Sequence, residues 1–238
     1  ANMSRMQQAE GTARKAVTYA KLWLDGRWLH DAGVTIAAGG TALAVTANSP
    51  GPEQTVAGIT LPGLVDAHCH AFQRTLGPWT QRAVSQRDDF WSWRETMYAL
   101  AGHLQRDDLE AIAARCFLEL LRGGYTTVAE FLYLHRLGDR RELDADLAIA
   151  AAARRTGIRL TLLPALYQHA DFGGAAPTPG QRPFVRQTGQ FLEDWQELRR
   201  RYPAGSEVAL GVAFHSLRAV DIATVEWVSQ ALQGDALC

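Results

Sequence analysis

His68 and His70 are separated by one residue and follow the apolar run Leu61-Pro62-Gly63-Leu64-Val65-Asp66-Ala67. On an extended strand, side chains i and i+2 share a face, so both imidazoles point to one side and Cys69 to the other. Two nitrogen donors converging on one point are half of a divalent metal site, and a catalytic zinc usually takes three protein ligands and a water. Taken alone, such a pair is more often just two histidines at a strand end, so the surroundings decide. Asp66 shares the face deeper in the strand, and neither it nor His135 makes a third ligand on these grounds.

Other polar residues stand at the ends of apolar runs. Tyr133 and His135 share a face near the end of Thr126 to His135, and His215 follows Val208-Ala209-Leu210-Gly211-Val212-Ala213-Phe214. In that last run, bulky side chains alternate with small ones, and the small face ends in the histidine. Small inward residues with a polar group at the C-terminal rim suit a barrel interior. Each polar tip alone is ordinarily capped or satisfied in the core; several together point to a site. An arginine offers a planar donor fork that matches a carboxylate, and Arg218 stands just beyond a strand end, three residues past His215. Arg82, Arg122 and Arg136 read instead as solvated or structurally paired. Trp91 and Trp93 suit a pocket wall and plain packing equally well. His169 and Asp171 read as two exposed loop residues, and His30 and His103 have no supporting context.

The elements that must position these residues change character near residue 60. Before it, short alternating stretches such as Thr18 to Leu24 and Thr41 to Val45 are broken by Asp25-Gly26, Gly39-Gly40 and Ser49-Pro50-Gly51-Pro52, the pattern of small antiparallel strands with tight turns. After it, strands expected at Ile59 to His70, Thr126 to His135, Arg159 to Tyr167 and Val208 to Leu217 alternate with helical periodicity. Helices are expected over Asp107 to Gly123, Leu143 to Thr156, Gln190 to Tyr202 and Asp221 to Gln233. Alternating βα units mean a parallel sheet covered by helices. Gln168 to Phe184, rich in glycine and proline, is a long rim connection, either a substrate lid or an insertion.

Composition narrows the function classes. The 238 residues are 47% hydrophobic and 21% charged, with 24 basic against 25 acidic residues and a formal net charge of −1. This is ordinary globular usage with no field for a polyanion or a membrane surface, so no nucleic acid and no membrane partner is expected. No apolar stretch approaches the roughly 18 residues of a span, and Ala1 to Glu10 has no signal-peptide core, which gives a cytoplasmic expectation. Cys69, Cys116 and Cys238 are widely spaced and fit reduced thiols.

Pro62 to His70 resembles the first-strand motif of the amidohydrolase superfamily. His68-Cys69-His70-Ala71-Phe72-Gln73-Arg74, Phe90 to Tyr98, Glu130 to His135 and His215-Ser216-Leu217-Arg218-Ala219-Val220 resemble its formimidoylglutamate deiminase branch. The resemblance implies a metal-dependent hydrolase on a (β/α)8 barrel with a small β-sandwich. It implies His68 and His70 as zinc ligands, with one Zn2+ per complete active site. It further implies Gln73, Arg94, Tyr133, His215 and Arg218 as contacts to a small-molecule substrate, N-formimino-L-glutamate, hydrolysed to N-formyl-L-glutamate and ammonia in histidine degradation.

The expected architecture is therefore α/β: a (β/α) TIM-type barrel over residues 61–238, with about its first four βα units present, preceded by a small, incomplete β-sandwich subdomain over residues 1–60. The family pattern continues with a third histidine, a glutamate three residues later, a further histidine and an aspartate, all expected beyond Cys238. The general base and the remaining catalytic groups thus stay unassigned, and the chain alone is expected to be an inactive part of an enzyme. Open edge strands with apolar flanks would call for a homodimer or a complementing C-terminal half. Two alternatives stay open: an amidohydrolase that deaminates a nucleobase-like heterocycle, and a catalytically dead half-barrel serving as an assembly module.

Overall fold

The structure, a computed structural model, describes residues 15–37, 42–48, 54–80, 89–138 and 140–232. Ala1 to Glu10, Gly39, Gly40, Thr41, Ser49 to Pro52, Arg82, Gln233 and Cys238, named above, lie outside these. The chain divides into two units, Ala1–Gly63 and Leu64–Cys238.

In the first unit, β1 (Lys15–Leu24), β2 (Arg27–Ile36), β3 (Ala42–Thr46) and β4 (Thr55–Thr60) form one sheet in the order β3-β2-β1-β4. Strands β1 and β2 are antiparallel and joined through Asp25 and Gly26, whose φ values of 49° and 74° are the left-handed pair that a two-residue hairpin needs. Leu22, Ala32 and Val34 form the small core. The run Ile59 to His70, expected as one strand, is two. Ile59 lies in β4, parallel to β1, and a new strand begins only after Pro62-Gly63, where proline removes a ladder donor.

The second unit begins with β5 (Leu64–Cys69), followed by a 3-10 turn over Ala71–Leu76 and a short helix α1 (Gly77–Thr80). Helices α2 (Phe90–Ala101) and α3 (Arg106–Arg122) precede β6 (Tyr125–Leu132), and α4 (Leu143–Thr156) precedes β7 (Arg159–Leu166). A second 3-10 turn, Pro179–Phe184, and α5 (Thr188–Arg201) lead to β8 (Val208–Leu210), β9 (Ala213–Phe214) and α6 (Ile222–Ala231). The strands run parallel in the order β5-β6-β7-β8, with β9 continuing against β7. This is the parallel βα series expected. The last strand is broken at Gly211-Val212, so His215 follows β9 rather than ending one continuous strand.

Local chemistry sets these bounds. Helix α4 starts and stops where the periodicity places it, and Gly157, at φ 81°, donates its N–H to the Ala153 carbonyl at 2.8 Å to close the last turn. Helix α2 is absent from the periodicity-based expectations. It is held at its start by Asp89, whose carboxylate accepts the N–H groups of Trp91 and Ser92 at 2.9 and 3.0 Å. Phe72, Leu109, Phe117, Val128, Ile149 and Leu162 are fully buried between helices and sheet and form the middle of the core.

Candidate active site

The loops at the C-terminal ends of β5, β6, β7 and β9 bring most of the singled-out residues together. At the end of β5 the His68 and His70 rings lie 4.8 Å apart, as the strand alternation requires, while Cys69 turns into the core. The His70 Nδ1 lies 3.0 Å from the Phe131 carbonyl. A carbonyl only accepts, so Nδ1 carries the proton and Nε2 keeps its lone pair. Metal-ligating histidines are oriented in this way, by a backbone carbonyl on the second ring nitrogen. Burial, then the neighbouring His68, lowers the His70 pKa, which keeps the imidazole neutral. His68 is exposed, and its backbone N–H donates to the Asp66 carboxylate at 3.1 Å, so Asp66 serves its own strand end. Among the described residues no group of three or more metal-ligating side chains is assembled.

Tyr133 connects the imidazole pair to a cavity of about 480 Å³. Its ring lies 5.2 Å from that of His70 and 5.2 Å from that of His215. Gln73, on the turn after β5, donates from Nε2 to the Tyr133 hydroxyl at 2.5 Å and so reaches the cavity through Tyr133. Arg94, Tyr133, His215 and Arg218 line the cavity directly, along with Trp91 and Trp93, the latter also packing against the core. Its size suits a small metabolite.

Each of these side chains is positioned by a specific contact. Arg94, on α2, lays its guanidinium 4.3 Å from the centroid of the Trp91 ring and 5.5 Å from that of Tyr98. Arg218 donates to the backbone carbonyl of Ala170. Neither arginine makes an ion pair among the described residues. His215 is boxed by Tyr133 and Tyr167, and burial, followed by the charge of Arg218 and the neighbouring His70, lowers its pKa to about 4. It is a neutral imidazole at physiological pH.

The other residues weighed from the sequence lie elsewhere. His135 does not reach the site: it is fully buried with Nε2 2.9 Å from the Ala165 carbonyl, and burial holds its pKa well below the ordinary value. Strand β6 ends at Leu132, so alternation no longer governs where Tyr133 and His135 point. Arg136 pairs with Glu142 at 3.0 Å, and Arg122 is exposed. His169 faces Asp221 at 3.8 Å and makes no pair with Asp171, which lines the cavity.

Glu130, in β6, has a role that periodicity does not reveal. It is fully buried, and both carboxyl oxygens accept the Ala71 N–H, at 2.9 and 3.0 Å, at the first residue after His70. Burial pushes its pKa up to about 8. Glu130 thus pins the backbone immediately behind the second imidazole. The one signal in the sequence is a single acid inside the apolar strand Val128 to Leu132.

Residues 59–231 match the Amidohydrolase family. The chain belongs to the amidohydrolase family. It is 41% identical over 207 residues to formimidoylglutamate deiminase of Pseudomonas aeruginosa, a match covering 83% of this chain and 45% of that protein. Among solved structures, an amidohydrolase from Brucella melitensis superposes with a TM-score of 0.83 at 33% identity, covering 91% of this chain and 49% of that one. Atrazine chlorohydrolase from Arthrobacter aurescens, complexed with zinc, superposes with a TM-score of 0.71 at 22% identity, covering 91% and 50%. The chain therefore spans about half the length of the amidohydrolases it matches.

Proposed function

We propose that this amidohydrolase chain supplies part of the metal site and the substrate pocket of an enzyme that hydrolyses N-formimino-L-glutamate to N-formyl-L-glutamate and ammonia. The observation that carries the reading is a cavity bearing two guanidiniums, Arg94 and Arg218, without carboxylate partners among the described residues, beside two imidazoles on one strand face. The relative formimidoylglutamate deiminase, at 41% identity, points to the same substrate.

In this reading His68 and His70 are two of the ligands of a zinc ion. The donor set fits: two imidazoles, with the His70 tautomer fixed by the Phe131 carbonyl. Bound there, the ion would supply a water activated for attack near neutral pH. Arg94 and Arg218 hold the two carboxylates of the substrate, and this aims the formimino carbon at the imidazole pair. Tyr133, oriented by Gln73, and neutral His215 offer uncharged hydrogen-bonding atoms between the two ends. Attack of water on the formimino carbon forms a C–O bond. Cleavage of the C–N bond to the terminal nitrogen then releases ammonia and leaves the formyl group on the glutamate nitrogen.

The test is ammonia release by the full protein, with zinc, from N-formimino-L-glutamate and from neutral heterocycles such as guanine. Release from the linear dicarboxylate, lost in His68→Ala and slowed through KM in Arg218→Ala, is the expected result. Turnover of a neutral ring that ignores Arg94→Ala and Arg218→Ala overturns the reading, because two guanidiniums would then have no ligand.

A further inference from the structure

We infer that the Met97 sulfur is the resting acceptor of the Tyr133 hydroxyl and releases that hydroxyl to a ligand oxygen on binding, which makes Met97 a positioning residue for the substrate. The inference rests on the dicarboxylate reading of the cavity and deepens it, adding one residue to the five substrate contacts discussed above.

Met97 lies on α2, one turn after Arg94, and is buried against the cavity wall. Its sulfur is 3.3 Å from the Tyr133 hydroxyl oxygen and 3.7 Å from Gln73 Nε2. Gln73 donates through the same nitrogen to the Tyr133 oxygen, at 2.5 Å. The sulfur also settles which end of that amide faces inward: an oxygen there would confront a second acceptor, whereas a nitrogen can donate to it. With its oxygen already accepting from Gln73, the Tyr133 hydroxyl turns its own proton to the sulfur. Burial pushes the Tyr133 pKa up, so the hydroxyl is protonated near neutral pH and has that proton to give.

The kind of acceptor decides what the contact can do. A thioether is polarisable but accepts weakly, so it satisfies a buried donor without holding it hard. A carboxylate oxygen accepts far more strongly, and exchanging O–H···S for O–H···O⁻ on binding is favourable. An amide carbonyl at the position of the sulfur would instead compete for the proton and keep it. An apolar side chain of similar volume would leave the hydroxyl without a partner until a ligand arrived, at a cost in stability. Sulfur lies between these limits. It links α2, which carries Arg94, to the turn after the imidazole strand, which carries Gln73, through the one hydroxyl that stands between them.

The test is the dissociation constant of N-formyl-L-glutamate, read by calorimetry, for the full protein and its Met97→Leu and Met97→Gln variants. In Met97→Leu binding no longer breaks a resting hydrogen bond and is expected to be about threefold tighter; in Met97→Gln the new carbonyl competes for the proton, and binding is expected to be about tenfold weaker. In a Tyr133→Phe background the gap between the two variants is expected to close to within about twofold, which packing at position 97 alone would not produce. A Met97→Leu protein that binds more weakly than the unaltered one, a Met97→Gln protein that binds as tightly, or a gap that persists in Tyr133→Phe overturns the inference. Tyrosine labelled with 13C at Cζ reads the resting bond with no ligand added: the Tyr133 resonance is expected to move in Met97→Leu, and an unmoved resonance contradicts the inference. If the unaltered protein does not bind N-formyl-L-glutamate at all, it is the dicarboxylate reading that falls, whatever the Tyr133 resonance does.

Discussion

Arg186 is buried beside the end of the loop that follows β7 and meets three carboxylates, Asp194 at 2.8 Å, Asp146 at 3.0 Å and Glu142 at 3.5 Å. Arg94 and Arg218 line a cavity and meet none among the described residues. The cluster around Arg186 brings its own counter-ions: it ties the loop to α4 and α5, and burial still pushes Asp146 up to about 6 despite the adjacent cation. At the cavity the same side chain type is held by aromatic faces and one backbone carbonyl, which fix its position without an ion pair among the described residues, and the Asp171 carboxylate lines the same cavity. A guanidinium with built-in carboxylates is structural; one positioned without them is ready for a ligand.

The largest expected effect breaks the structural side of this comparison. Arg186→Met leaves three carboxylates buried without their cation and is expected to cost about 3–5 kcal/mol of stability. Urea unfolding reads this, and a loss under about 1 kcal/mol would make Arg186 no more structural than the cavity arginines. Arg94→Ala and Arg218→Ala test the other side. Each is expected to weaken dicarboxylate binding by about 2–3 kcal/mol, read by calorimetry, while unfolding stability moves by about 0.5 kcal/mol or less.

A third effect is read against pH. The folded-state pKa of His215, about 4, lies below its unfolded value of about 6.5, so the unfolded chain takes up the proton first as pH falls. The stability this imidazole contributes is present above pH 6.5 and is lost progressively toward pH 4. Glu130 and Asp146, held up at about 8 and about 6, act in the opposite sense, so the effect must be read as a difference. The stability of the unaltered protein relative to His215→Asn is expected to fall by about 2 kcal/mol between pH 7 and pH 5. Arg218→Ala should shrink that fall, because the unpaired guanidinium helps to hold His215 neutral. A further effect concerns Glu130. Its raised pKa makes the carboxyl largely neutral at pH 7, so Glu130→Gln keeps an acceptor for Ala71 and is expected to cost about 1 kcal/mol or less in urea unfolding. Glu130→Ala, which orphans that buried N–H, costs about 1–3 kcal/mol.

Much of the fold was legible because it depends on local pattern. The βα alternation is written in apolar runs and helical periodicity, and Leu143–Thr156 has the bounds its periodicity predicts. The 4.8 Å approach of the His68 and His70 rings agrees with strand alternation, although β5 itself ends at Cys69 and His70 is the first residue beyond it. Helix α2 was not legible by the same means, because aromatic residues lie on several of its faces; its one local signal is Asp89 with Ser92 three positions on. Ile59 was misplaced because nothing in an apolar run says which sheet it joins, although Pro62-Gly63 marks the break. Pairings over long separations were not legible at all. Arg186 finds Asp146 across 40 residues and Glu130 finds Ala71 across 59, and only the assembled sheet makes them neighbours. Arg94 and Arg218 were singled out as arginines, but it is their lack of an ion pair among the described residues that sets them apart, and no sequence pattern records that.

The central claim is that the cavity cations await a dicarboxylate. Its most direct test is the dissociation constant of N-formyl-L-glutamate for the full protein and for the Arg94→Gln, Arg218→Gln double variant, measured by calorimetry alongside urea unfolding of both. The account predicts at least a hundredfold weaker binding with stability unchanged to within about 1 kcal/mol. Equal affinity in the double variant would contradict it.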